Sequence, residues 1–298
     1  MSKVFNKKDF FVLIVGILAV IIGFVYIQFG VSVDDKPESV NSQQPIIFVS
    51  DQNRTSSAAR HLVTTTSRSG GSVAMHVDVY DNGKIQYLAN KNVKEAKQPI
   101  IEVSYSSRSN TTKEQSAKLQ AILVHLNKKY GYKTYDAIGF GSGALTVYDN
   151  AITYGTKKNK MNLSHFISIA GPYQGVMADH PNDPHATPNQ MTNDHQIHSH
   201  IQVNNQQITN SRFPNYSDLK KKSGNLDENT KVLNIYGVLS PSDKSDGRVS
   251  EQSATAIKKL VKSDNYQSLR LTGPAALHSN ILDNQIAERL VNRFLFSD

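Results

Sequence analysis

The stretch Tyr135-Asp136-Ala137-Ile138-Gly139-Phe140-Gly141-Ser142-Gly143-Ala144-Leu145 narrows the fold more than any other. An apolar strand runs into a turn with glycine at three alternate positions. Apolar residues at helical spacing follow (Leu145, Tyr148, Ile152). A strand that turns this sharply into a helix strains the backbone at its apex. It also brings strand and helix so close that side chains two residues either side of the apex would collide. Gly139 and Gly143 fit the outer positions, which puts Gly141 at the apex and Ser142 one residue beyond it.

The rest of the chain supplies strands and helices in alternation. Pro45–Val49 is a short, wholly apolar run, the pattern of a strand buried on both faces. A helix is expected from about Ser56 to Ser67. Ser72–Tyr80 alternates as a strand, Asp81-Asn82-Gly83-Lys84 is a hairpin turn, and Ile85–Tyr87 returns. Pro99–Tyr105 is a further strand. Thr112–Tyr130 is an amphipathic helix ended by Gly131. Beyond the glycine turn, strands are expected at Phe166–Ala170, Val232–Gly237 and Ser268–Leu271, with helices at Ser253–Val261 and Ile281–Phe296. This order predicts an α/β fold: a mostly parallel central sheet with helices on both faces and an antiparallel edge at the hairpin. Such sheets carry their sites at the carboxyl ends of the strands. The loops after Val49, Phe140, Ala170, Gly237 and Leu271 should therefore meet on one rim.

The amino terminus reads differently. Phe10–Ile27 is uncharged and almost wholly apolar, with Lys3, Lys7 and Lys8 before it and Asp34 and Asp35 after it. At ~1.5 Å per residue its length suffices to cross a bilayer. The basic flank predicts a cytoplasmic start, and no small-x-small cleavage site follows. The expected organisation is a cytoplasmic stub at 1–9, an uncleaved transmembrane signal-anchor at 10–29, a polar tether at 30–44 and one domain at 45–298. The domain then lies on the extracytoplasmic side of the cell membrane, in contact with the membrane only through the N-terminal helix.

With no cysteine in 298 residues, disulfides, thiolate catalysis and cysteine-ligated metals are excluded. The net charge is +8, but the basic residues are spread over several short groups (Lys157, Lys158 and Lys160; Lys220 to Lys222; Lys258 and Lys259) with no nucleic-acid motif among them. No nucleic-acid partner is expected. Attraction to an anionic surface is an open use for these charges. Between about 178 and 229 aliphatics give way to His, Asn, Gln, Pro and Ser, which predicts a polar lid-like insertion. It holds His180, His185, His195, His198 and His200, but His195, His198 and His200 lack the i, i+4 spacing of a helical zinc pair. No metal and no cofactor are expected.

In order and spacing these pieces resemble the α/β-hydrolase superfamily, and within it the poorly characterised bacterial family of membrane-anchored cell-surface α/β hydrolases. The resemblance rests on Pro45–Val49, Asp81–Ile85, Pro99–Val103, Ile138–Ala144, Ile167–Gly175, Ser245–Val249 and His278-Ser279. It implies a serine nucleophile at a G-x-S-x-G elbow, then an acid, then a histidine, in that chain order. It places the acid at Asp246 and the base at His278. The family's serine falls on Gly141, and its His-Gly oxyanion loop is replaced from Ser50 and Asp51 through Arg54. An acidic Asp51 would oppose a developing oxyanion.

Two functions follow from the resemblance. In one the chain is a serine hydrolase of ester or other acyl substrates, with Ser142 as nucleophile, His278 as base and Asp246 as its orienting acid. That choice shifts the elbow by one residue and puts Phe140 where a small residue is needed. In the other the chain is a catalytically inactive relative that uses the same rim and lid to bind a surface ligand or partner. Asp246-Gly247 is also an ordinary turn dipeptide, and His278 could serve only to hold loops together.

Overall fold

A computed structural model of the chain describes residues 43–50, 57–90, 93–96, 98–106, 111–155, 161–177, 197–198 and 213–296. Its centre is an eight-stranded sheet in the order β10-β9-β6-β5-β1-β4-β2-β3. The strands are β1 (Ile46–Val49), β2 (Ser72–Val79), β3 (Ile85–Ala89), β4 (Pro99–Tyr105), β5 (Thr134–Phe140), β6 (Asn162–Ile169), β9 (Lys231–Val238) and β10 (Tyr266–Thr272). A separate two-stranded ladder pairs β7 (Val176–Met177), just before the segment expected as a lid, with β8 (Ile197–His198) inside it. Every pairing in the large sheet is parallel except the β2–β3 hairpin. The sequence reading of a mostly parallel sheet with one antiparallel edge agrees with this.

Two apolar layers cover the sheet, as the period-2 alternation of its strands requires. On one face Ile47, Val103, Ala137 and Val232 pack with α2 (Thr112–Tyr130), α3 (Ser142–Tyr154), α4 (Tyr216–Lys222) and Ile257. On the other Phe48, Ile138, Ile169 and Ile235 pack with α1 (Ser57–Ser69) and α6 (Gln285–Phe296). Helix α2 runs between the bounds expected and is closed by Gly131 at φ 74°; at its start Thr111 and Glu114 form a capping box.

Three elements differ from expectation in detail. The helix expected at Ser253–Val261 is α5 (Glu251–Thr255), capped by Ser250, and then a 3-10 turn over Ala256–Lys259. The helix expected from Ile281 begins as a 3-10 turn. It restarts after Asn284, whose side chain accepts hydrogen bonds from the N–H groups of Ile286 and Ala287. Within the polar segment α4 contributes Leu219 to the core, 1% exposed, where the composition had suggested no core residue.

The chain enters the sheet under restraint. Gln43 donates to the carbonyls of Lys94 and Ala96, and Gln44 donates to the fully buried carboxylate of Asp136 at 2.6 Å. The ring and backbone N–H of His165 also donate to that carboxylate, at 2.9 and 3.0 Å. These bonds satisfy a buried charge that would otherwise cost several kcal/mol. Glu38–Asp298 forms a compact unit distinct from Met1–Pro37, and both apolar layers are closed within it. Among the described residues no helix is long and apolar enough to cross a membrane, and Phe10–Ile27 lies outside them.

Candidate functional site

Strand β1 sits at the point where the chain changes direction of winding. From β1 it goes to one side to make β2, β3 and β4, then crosses back to β5 and builds outward through β6, β9 and β10. The carboxyl ends of β1 and β5 therefore flank the crevice where open parallel sheets bind ligands. The glycine turn closes β5 there.

Its geometry settles which residue is the apex. Gly141 has φ 55° and ψ −124°, a conformation that side-chain-bearing residues rarely adopt, and it precedes the first residue of α3. A Cβ on Gly139 would lie 2.4 Å from the Ala144 Cα, and one on Gly143 would lie 2.2 Å from the Val49 carbonyl oxygen. Both outer glycines are thus demanded by close approach of helix to strand, as the sequence indicated. Ser142 is the first residue of α3, 5% exposed, and its carbonyl accepts from the Thr146 hydroxyl at 3.0 Å. The residue after the apex of such an elbow contributes its backbone N–H to an oxyanion hole. Position therefore gives Ser142 a backbone role and gives the nucleophile's place to Gly141.

Asp246 and His278 are brought together. The His278 Nδ1 lies 2.8 Å from Asp246 Oδ2, with both residues buried. A carboxylate only accepts, so Nδ1 carries a proton and donates it to Asp246. The other carboxylate oxygen, Oδ1, accepts from the N–H groups of Arg248 and Val249 at 2.9 and 2.7 Å. The His278 N–H donates to the Asp246 carbonyl at 2.8 Å, so the two loops are tied through main chain as well. The turn at Asp246-Gly247 thus does more than reverse the chain: it aims an acid at a histidine. Phe140 joins this pair to the elbow, its ring 4.8 Å from the imidazole centroid.

Two supports of this arrangement gave no signal in sequence. A Cβ on Gly237 would lie 2.1 Å from the Ala276 carbonyl and 2.9 Å from the Asp246 Cβ. That glycine lets the acid loop and the histidine loop cross over β9. Ala170, at the end of β6, has φ 51°, the one non-glycine residue at positive φ among the described residues. It shapes the rim beside the elbow, where its N–H donates to the Ile235 carbonyl. Ser168, one of the other rim hydroxyls, is fully buried and bonded to the Tyr173 hydroxyl at 2.9 Å.

Ser50 is 7% exposed and its carbonyl packs on Gly143, so the loop after β1 starts against the elbow. Asp51, and the lid histidines at 180, 185, 195 and 200, lie outside the described residues; His198 falls in β8. Among the described residues no group of three or more His, Cys, Asp or Glu could hold a metal.

A parallel sheet with a strand–elbow–helix at its switch point and an Asp–His pair on the next loops defines an α/β-hydrolase fold. The chain belongs to the family described as alpha/beta hydrolase of unknown function (DUF915), which residues 34–298 match. In structure it is similar to a Listeria innocua gene product, with a TM-score of 0.68 and 22% identity over 86% of this chain and 95% of that one. It is also similar to a Lactobacillus plantarum protein described as a candidate cell surface hydrolase, with a TM-score of 0.62 and 17% identity over 87% and 93% of the two chains. No curated protein matches it in sequence.

Proposed function

We propose that this chain is a cell-surface member of its family, anchored by Phe10–Ile27, whose rim binds an ester- or acyl-bearing ligand without attacking it through a serine. The observation that carries this reading is the backbone of Gly141. The strained apex is kept, and the residue on it has no side chain. What remains suits binding of a carbonyl group. The N–H of Ser142 opens α3, where the helix dipole favours the negative end of a carbonyl, and the Asp246–His278 pair holds an imidazole on the same rim, against Phe140.

The second reading, hydrolysis with Ser142 as nucleophile, is favoured by one observation: a histidine oriented by a buried, doubly hydrogen-bonded carboxylate is the unit that activates a serine. In that mechanism the Ser142 Oγ adds to the acyl carbon while His278 Nε2 takes its proton. The proton then goes to the leaving alcohol, and water attacks the acyl-serine with His278 again as base. Turnover of short-chain p-nitrophenyl esters by the wild type, Ser142→Ala and His278→Ala separates the two. The binding reading expects wild-type hydrolysis no faster than either variant. A drop of roughly 100-fold or more in both variants, the scale expected of general acid–base and nucleophilic groups, would establish the hydrolase.

A further inference from the structure

The two ends of the sheet differ in charge. The segments 128–133, 216–231 and 256–265 close the amino-terminal side of β5, β9 and β10, and together hold ten basic and four acidic residues. The segments 80–84, 111–118, 239–251 and 272–284 close the carboxyl-terminal rim, and hold five basic and six acidic residues. Among these described segments, the positive charge is thus gathered at the end opposite the candidate site.

The lysines of the basic end are exposed. Lys220 and Lys222 end α4, Lys231 starts β9, and Lys258 and Lys259 follow α5, all exposed. The acids on this side are partly answered already: Lys221 lies 3.3 Å from Asp218 and Lys262 lies 2.9 Å from Glu228. Loop packing fixes the parts together, since Asn265 donates to the Glu228 carbonyl and Asn225 to the Ile152 carbonyl at the end of α3. The chain also enters the folded unit on this side, at Gln43 and Gln44.

We infer that this amino-end face is a docking surface for an anionic lipid bilayer, which turns the elbow, Asp246 and His278 away from the membrane. A set of exposed lysines, on segments that hold ten basic and four acidic residues, matches a surface of headgroup phosphates. The tyrosines of this face are turned into the fold and do not stand out as a platform for nucleic-acid bases: Tyr130 and Tyr132 are buried, and the Tyr216 hydroxyl donates to the Ala256 carbonyl. Gln43 and Gln44, the first described residues, enter the sheet at this same amino end. The inference needs neither reading of the site chemistry, and it is tested without the apolar segment.

Residues 38–298 are mixed with vesicles of phosphatidylglycerol and phosphatidylcholine, and with phosphatidylcholine alone, at low and high salt. Co-flotation is expected only with the anionic vesicles and is lost at high salt. Each lysine near such a surface strengthens binding about fivefold. The triple variant Lys220→Glu, Lys258→Glu, Lys259→Glu should therefore bind at least ~100-fold more weakly, while Lys84→Glu, Lys113→Glu, Lys244→Glu on the opposite rim should bind as the wild type does. Absence of flotation at low salt would overturn the inference, as would equal losses in the two triples. A soluble glycerol-phosphate polymer that competes as well as the vesicles do, phosphate for phosphate, would overturn it in favour of a polymer ligand.

Discussion

The elbow and the paired loops after β9 and β10 meet at one rim, joined by the contact of Phe140 with His278. They preserve opposite things. At the elbow the backbone is intact in every respect that can be measured, with a strained apex, two glycines that nothing larger could replace and a helix behind them, yet the apex carries no functional side chain. At the loops the side chains are intact and oriented, an acid held by two N–H groups and a histidine held by the acid. The difference teaches that scaffold and chemistry are separable here. Close packing enforces the glycines of the elbow whatever the apex does, and a buried carboxylate needs its partners whether or not a serine stands beside them.

The comparison can be broken from either side, with Gly143→Ala the most severe change. Its Cβ would enter the Val49 carbonyl at 2.2 Å, and relief requires moving either β1 or α3. A loss of about 3 kcal/mol in urea unfolding is expected. Next, Asp246→Ala strips acceptors from two N–H groups and a ring nitrogen in a buried setting, and should cost about 2 kcal/mol. If Asp246→Ala proved harmless while Gly143→Ala unfolded the protein, the acid–base pair would be a relic of no structural weight. Gly141→Ala should cost roughly 1 kcal/mol, because it places a side chain at φ 55°.

A smaller effect is expected within α3, behind the elbow. Burial pushes the Asp149 carboxyl above its ordinary range, with Ser116, Lys222, Thr153 and Lys113 pulling the other way. Between its unfolded and its raised folded value the native state keeps a proton that the unfolded chain has released, so this group's contribution to stability falls as pH rises through that window. Asp149→Asn should therefore be more stable than the wild type at neutral pH, with the gap closing on acidification, as read by melting temperature across pH. Gly224→Ala sets the floor of the series. Nothing lies within 4 Å of the added Cβ, and no change beyond ~0.5 kcal/mol is expected.

Much of this was legible in the chain because the signals are local. The apolar run Ile46–Val49, the Asp81–Lys84 turn, the Gly131 stop of α2 and the glycine spacing of the elbow each state their structure within a few residues. The order of the elements then gave the fold, and the place of Asp246 and His278 in that order brought them together. Other features depend on tertiary contact and left no trace. Gly237 is a glycine because two loops cross it, Ala170 holds a positive φ while its N–H bonds to β9, and Leu219 sits in a polar segment yet fills the core beside α3. The gathering of lysines at one end of the sheet was hidden for the same reason: their groups are far apart in sequence and are united only by the parallel strands.

The claim that the apex of the elbow lacks a working nucleophile is tested most directly by a fluorophosphonate probe, with any adduct mapped by mass spectrometry on the folded wild type and on Ser142→Ala. The account predicts no adduct on either protein. An adduct on Ser142 that disappears in Ser142→Ala would contradict it.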